Sequence, residues 1–191
     1  MLRPCVSLAV LLLSGSAAAQ DGNPAVVTPG TPEQAPGQPA PHTVNAADRI
    51  FLQQAAIGGM AEVALAELVV ARSREAELEA FADRMKTDHG KANTELKALA
   101  DAAGIVLPTT LDPEHQAMRE QLEKLSDREF DLAYLSGQLT DHQKSAQLLT
   151  YVIGSGQDPA LKSFAATNLP IVLEHLKMVQ ELQAKLAGKT T

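Results

Sequence analysis

Four segments of this chain repeat apolar residues at alternating intervals of four and three, and that spacing leaves few architectures open. It is the signature of one face of an α-helix. The first stripe runs Phe51, Ala55, Gly58, Glu62, Leu65 and Val69. The second runs Leu78, Ala82, Met85, His89, Ala92, Leu96, Leu99 and Ala103. The third is Leu132, Leu135, Leu139, His142, Ala146, Leu149 and Ile153, and the fourth Leu161, Ala165, Asn168, Val172, His175, Val179, Leu182 and Leu186. Each stripe needs a partner to cover it, and the chain has no Trp, two Tyr and four Phe with which to build strands. An all-α bundle is predicted.

The boundaries follow from local chemistry. Asn45 can cap the first helix, and Asp48 one turn in favours its positive end. The apolar phase slips by one residue near Arg72-Ser73-Arg74, which predicts a tight turn with Ser73 as a cap. Gly104 ends the second helix and Pro108 prevents its resumption. Residues 104–125 form a long connection with one short helix, capped by Asp112 and begun by Pro113. Ser126 with Glu129 reads as a capping box, with Leu125 and Phe130 as its hydrophobic staple. Gly154-Ser155-Gly156 closes the third long helix, and Asp158-Pro159 opens the fourth. Pro170 inside that helix should kink it and free the carbonyl of Ala166. Gly58-Gly59 costs roughly 1 kcal/mol per glycine relative to Ala, so close approach of another helix is expected there. Short outer links and a long central link set the second and third long helices parallel. The expected fold is a ferritin-like four-helix bundle over 45–188 with a long crossover between helices 2 and 3.

Upstream, Arg3, the apolar run Val6 to Leu13 and Ala17-Ala18-Ala19 read as a signal peptide over 1–19, cleaved near Ala19. That run falls short of the roughly 20 apolar residues of a permanent anchor, and no transmembrane segment is expected in the mature chain. Residues 20–44 hold Pro24, Pro29, Pro32, Pro36, Pro39 and Pro41 and read as a disordered Pro-rich tether. Cys5, the one cysteine, leaves with the leader, so the core alone must hold the fold. The formal charge of -7 becomes -8 without Arg3, and no run of Lys or Arg exists. Nucleic acid is thereby excluded as a partner. No alternating strands of an outer-membrane barrel are present in the pattern. A periplasmic or secreted location is expected.

Thr87-Asp88-His89-Gly90-Lys91 is echoed by Thr140-Asp141-His142-Gln143-Lys144, and more loosely by Glu174-His175-Leu176-Lys177. In each copy the histidine falls on the apolar stripe. Counting from the turns puts Glu62, His89, His142 and His175 roughly 17, 23, 20 and 14 Å below one end of the bundle, near enough to meet. Groups buried this way must pair or hold something. One reading is a hydrogen-bonded polar layer, with Asn168 or Tyr134 nearby. The other is a transition-metal site of Glu62, His89, His142 and His175, suited to zinc, copper or iron. Di-iron bundles carry Glu-x-x-His, but Lys86, Leu139 and Val172 occupy the positions three before each histidine. A ferroxidase or oxygenase of that kind is not expected. Asp88 and Asp141 can steady a histidine on a neighbouring helix or stand as solvated edge charges. Lys91, Lys144 and Lys177 should point outward, and Met60, Met85 and Met178 should fill core. His115 and His42 are expected to be exposed. No nucleophile is spaced against a histidine, so no catalytic residues are assigned.

The chain resembles a bacterial family of exported ferritin-like proteins of unknown function, often labelled "predicted outer membrane protein". The resemblance spans 46–187. It rests on Phe51 to Glu62, Phe81-Ala82-x-x-Met85-x-x-Asp88-His89, Leu96-x-x-Leu99-Ala100 with Gly104 and Pro108, Phe130-x-x-x-Tyr134-Leu135, Asp141-His142, Ser155-Gly156 through Leu161, and Leu169-Pro170 with His175. It implies a ferritin-like bundle and supplies no reaction; the outer-membrane wording finds no support in these residues. The leading expectation is an exported bundle that binds a metal or small polar ligand at its centre, in a stress-tolerance role. The alternative is a structural or protein-interaction bundle whose polar core fixes helix register. An enzyme using the cluster for acid-base or redox chemistry would need a pocket open to solvent.

Overall fold

The computed structural model describes residues 44–188; the expected leader, His42 and the tether before Val44 lie outside the described residues. Five helices and no strand occur among them: α1 Ala46–Arg72, α2 Ala76–Ala102, α3 Pro113–Lys124, α4 Asp127–Ser155 and α5 Pro159–Gly188. The four long helices have 27 to 30 residues, about 40–45 Å each. The short α3 lies in the connection, so the expected third and fourth long helices are α4 and α5.

Most caps take the predicted form. Asn45 Oδ1 accepts from the Asp48 amide at 2.8 Å. Asp158 Oδ1 accepts from Ala160 and Leu161 at 2.7 and 3.2 Å. At the end of α2, Gly104 takes φ +66. The Ile105 amide reaches Ala100 O at 2.8 Å and the Gly104 amide reaches Asp101 O at 3.1 Å. That pair of bonds is a Schellman motif, and Ile105 tucks into the core beside Ala100. One cap differs. Ser126 makes no side-chain capping bond, because Asp127 enters α4 at φ 49 and takes the backbone off the path a capping box requires. α5 continues through Pro170.

Pairwise contacts set the directions. The turn at Ser73–Glu75 makes α1 and α2 antiparallel; Ser73 Oγ accepts the Glu75 amide at 3.1 Å. Asp48 near the start of α1 meets Gln157 and Asp158 after the end of α4, while Glu62 meets His142, so α1 and α4 are also antiparallel. Glu77 pairs with Lys185 and Asp88 with His175, which sets α2 against α5 in the same way. It follows that α2 and α4 run parallel, joined by the long connection. Arg72 secures that connection, donating to Leu122 O at 3.1 Å and Leu125 O at 2.6 Å at the end of α3. In its middle α3 packs on α4 at Gly137, where an added Cβ would meet Met118 Sδ at 2.9 Å.

The core is divided. One apolar cluster holds Leu65, Val69, Leu78, Phe81, Met85, Phe130, Leu135 and Val179. The other holds Phe51, Leu52, Leu96, Leu149, Val152, Leu161, Phe164 and Val172. Along every long helix the residue that separates the two is ionisable: Glu62, His89, His142 or His175. By length and composition alone α1 would suffice to cross a membrane. Its Phe51, Leu52, Leu65 and Val69 nevertheless face these two clusters, and its Asp48 and Glu62 are buried among the other helices. Gly59 bears out the expected close approach, since a Cβ there would overlap the Asn93 side chain of α2; Gly58 faces open space.

Candidate metal centre

The polar layer brings together the residues that the stripes single out. One ring nitrogen from each of His89, His142 and His175 lies within 4.8 Å of the others. The ring centroids stand 5.3 to 5.5 Å apart. His142 and His175 are wholly buried, whereas His89 is partly exposed. Glu62 is buried too but stands outside the triangle, its Oε1 3.4 Å from His142 Nδ1 on the side away from His175.

Partners behind the rings fix which nitrogens carry protons. His142 Nδ1 faces the carbonyl of Gln138, one turn earlier, at 3.0 Å. A carbonyl only accepts, so Nδ1 carries the proton and Nε2 is left with a lone pair. His175 Nε2 is 2.9 Å from Asp88 Oδ2, and an ionised carboxylate also only accepts. His175 Nδ1 is therefore bare as well. The two bare nitrogens face each other at 3.3 Å. His89 Nε2 is buried with no hydrogen-bond partner.

Electrostatics keep the rings neutral. Burial holds His142 down to about 3, with His89 and His175 adding to the effect. Burial likewise holds His89 down to about 4. His175 is lowered by burial, against the pull of Asp88. Burial opposes ionisation of Asp88, yet hydrogen bonds from His175 and Arg84 prevail and keep its carboxyl below the usual range. Arg84 reaches Asp88 at 3.2 Å and grips Glu174 through two bonds of 3.1 and 2.8 Å, so the support runs outward to the surface. Glu62 is pushed up to about 8, first by burial and then by the charge of Asp141, and so holds its proton at neutral pH.

Of the two carboxylates beside the repeated histidines, Asp88 steadies His175 across the bundle, one of the two roles its position allows. Asp141 is buried rather than a solvated edge charge, and the histidine it faces on a neighbouring helix is His115 of α3, at 3.7 Å, not one of the three clustered rings. His115 itself corrects the expectation of an exposed ring. It is 9% exposed because α3 is packed down on α4, and its Nδ1 lies 2.6 Å from Asp112. Lys91, Lys144 and Lys177 are exposed as expected, and Met85 is core. The roles of Gln138, Arg84 and Asp112 were missed. Each had a signal: Gln138 is four before His142, Arg84 four before Asp88, and Asp112 three before His115.

Two imidazoles with bare, facing nitrogens and proton-fixing partners behind them, beside a third whose buried Nε2 has no partner, form an arrangement suited to a metal ion, since metal-bound histidines usually donate their other N–H to a carbonyl or carboxylate. Two nitrogens held about 2.0–2.1 Å from a tetrahedral ion are themselves about 3.3–3.4 Å apart. The His142–His175 separation matches that edge.

Comparison with solved structures gives the fold independently. A DUF305 fragment from Deinococcus radiodurans is 13% identical with a TM-score of 0.69, over 75% of this chain and 99% of that one. A Streptomyces coelicolor structure, described as "putative secreted protein DUF305", is 15% identical with a TM-score of 0.65, over 76% and 95% of the two chains. No curated protein matches the chain. The model of a domain of unknown function, DUF4142, matches residues 33–182, and the chain belongs to that family.

Proposed function

We propose that the protein is an exported ferritin-like four-helix bundle that binds one transition-metal ion through His89, His142 and His175. The observation that carries this reading is the 3.3 Å approach of His142 Nε2 to His175 Nδ1, each with its proton drawn to the far side of its ring. Two lone pairs facing at that distance repel each other, and a cation between them removes the repulsion. Zinc, copper and iron all accept imidazole nitrogen, and the low proton affinity of the rings leaves them ready to bind at neutral pH. Glu62 stands behind His142 as a neutral acid and belongs to its surroundings rather than to the ligand set.

The parallel pairing of α2 and α4 across a long connection supports the ferritin-like assignment. Export rests on the leader-like N-terminus, with the secreted description of the Streptomyces relative in agreement. The rival reading is a purely structural polar layer. It requires a proton between His142 and His175: carried on His142 Nε2 it turns a bare Nδ1 toward the Gln138 carbonyl at 3.0 Å, and carried on Nδ1 of a neutral His175 it turns a bare Nε2 toward Asp88 at 2.9 Å. The geometry favours the metal.

Metal analysis of protein purified without an affinity tag tests the proposal. One equivalent is expected in the wild type, falling to background in His142→Ala and His175→Ala. Substoichiometric metal in the wild type, unchanged by either substitution, defeats it.

A further inference from the structure

A cavity of about 150 Å³ lies against one of the three histidines. His89 lines it, while His142 and His175 do not, so the partly exposed ring is where this cavity meets the cluster. The cavity rim reaches the exposed Gln54 and Lys144. Much of the wall is apolar, with Ile57, Leu96, Leu148, Leu149, Phe164 and Val172.

The polar part of the wall is unusual. Asp141 is 6% exposed, lines the cavity, and neither carboxylate oxygen has a hydrogen-bond partner. The nearest cations do not complete it. Lys144 Nζ is 3.7 Å away and committed to Glu114 at 2.5 Å, and His115 Nε2 is 3.7 Å away. His115 gives the proton of its other nitrogen to Asp112 at 2.6 Å, which when the ring is neutral leaves Nε2 without one to give to Asp141. A buried carboxyl that accepts nothing is costly, and a donor entering the cavity relieves that cost.

We propose that this cavity is the ligand pocket of the histidine centre, taking a small molecule that coordinates the metal and offers an N–H or O–H to Asp141. The inference rests on the metal reading above. Three protein ligands leave a tetrahedral ion one open position, and open positions are what exchangeable ligands occupy. The volume admits water or a single five-membered ring. The required chemistry is specific. Ligands that coordinate and also donate are favoured, and ligands that only accept meet the negative wall of Asp141.

Cobalt(II)-loaded, tag-free protein reports on the open position through its visible absorption. Imidazole should shift the bands saturably with cobalt retained, and azide, which carries no donor, should bind at least tenfold more weakly. Asp141→Leu should erase that preference while leaving cobalt stoichiometry at one. Asp141→Asn keeps the size of the side chain and should give an intermediate preference, a check should the leucine variant fail to fold. A cobalt spectrum indifferent to imidazole, cobalt stripped by imidazole, or an equal preference in wild type and both variants overturns the pocket alone. Failure of the wild type to take up cobalt at all overturns the centre and the pocket with it.

Discussion

His175 Nε2 lies 2.9 Å from Asp88 Oδ2, a contact between α5 and α2 that holds the ring with its bare nitrogen toward His142. Asp88 in turn is held by Arg84, so the orientation of a fully buried ring is governed from the surface.

Asp88→Asn removes the carboxylate while keeping its size. Metal stoichiometry should stay at one, and affinity should fall about 10- to 100-fold, the usual cost of losing such a partner. Competition against a chromophoric chelator measures it. An unchanged affinity would show that Asp88 has no part in orienting the ring.

The pH dependence of the metal-free protein should have a maximum near 6.5. His142 and His89, held to about 3 and 4, take up protons from 6.5 downward only when unfolded. Glu62, raised from 4.5 to about 8, keeps a proton in the folded state that the unfolded chain releases. Between 4.5 and 6.5 the unfolded state gains two protons at these histidines against one for the folded state at Glu62, so stability rises with pH. The two histidines and Glu62 together give a slope of about 1.4 kcal/mol per unit, steepened by His175, which is also lowered, and reduced by Asp131 and Asp141, whose carboxyls burial raises. Above 6.5 these histidines no longer contribute; Glu62 holds its extra proton in the folded state, and stability falls toward pH 8. Glu62→Gln should abolish that falling arm. Urea denaturation in chelator across this range tests both arms.

Two adjacent glycines should respond with opposite signs. Gly58→Ala meets nothing within 4 Å and should stabilise by about 0.5–1 kcal/mol through helix propensity. Gly59→Ala places a methyl on Asn93 and should destabilise by about 1–3 kcal/mol. Adding Asn93→Ala to Gly59→Ala should recover most of that loss. Thermal melts of the four variants check the order.

Asp48 is 1% exposed and accepts the amides of Gln157 and Asp158 at 3.2 and 3.0 Å, fastening the start of α1 to the turn between α4 and α5. Asp48→Ala leaves those two amides unmet and should cost about 1–3 kcal/mol. A change below a few tenths of a kcal/mol in urea denaturation would remove the fastening role.

The helices and the identity of the central layer could be read from spacing, because a histidine on a stripe of period 3.6 has nowhere to go but inward. His89, His142 and His175 illustrate this, and so does the turn found from the phase slip at Arg72 to Arg74. What spacing cannot carry is direction around a point. Glu62 was placed at the right height, yet only coordinates show that it approaches His142 from behind. His115 failed for a different reason. A ring in a connecting segment is judged exposed until the segment packs, and its burial depends on Met118 lying over Gly137, a contact between two helices with no local trace. Asp48 had a sufficient local reason for being acidic, which concealed its long-range one. The capping box at Ser126 matched in letters and was undone by the backbone of Asp127.

The three imidazoles come from α2, α4 and α5, the last of these following the other helices in the chain. A chain made from its N-terminus therefore has no finished triad until α5 has emerged and docked, however long the earlier part has waited. On the proposed metal reading, an ion captured there would act as a late clasp, and a product stalled before α5 would lack it.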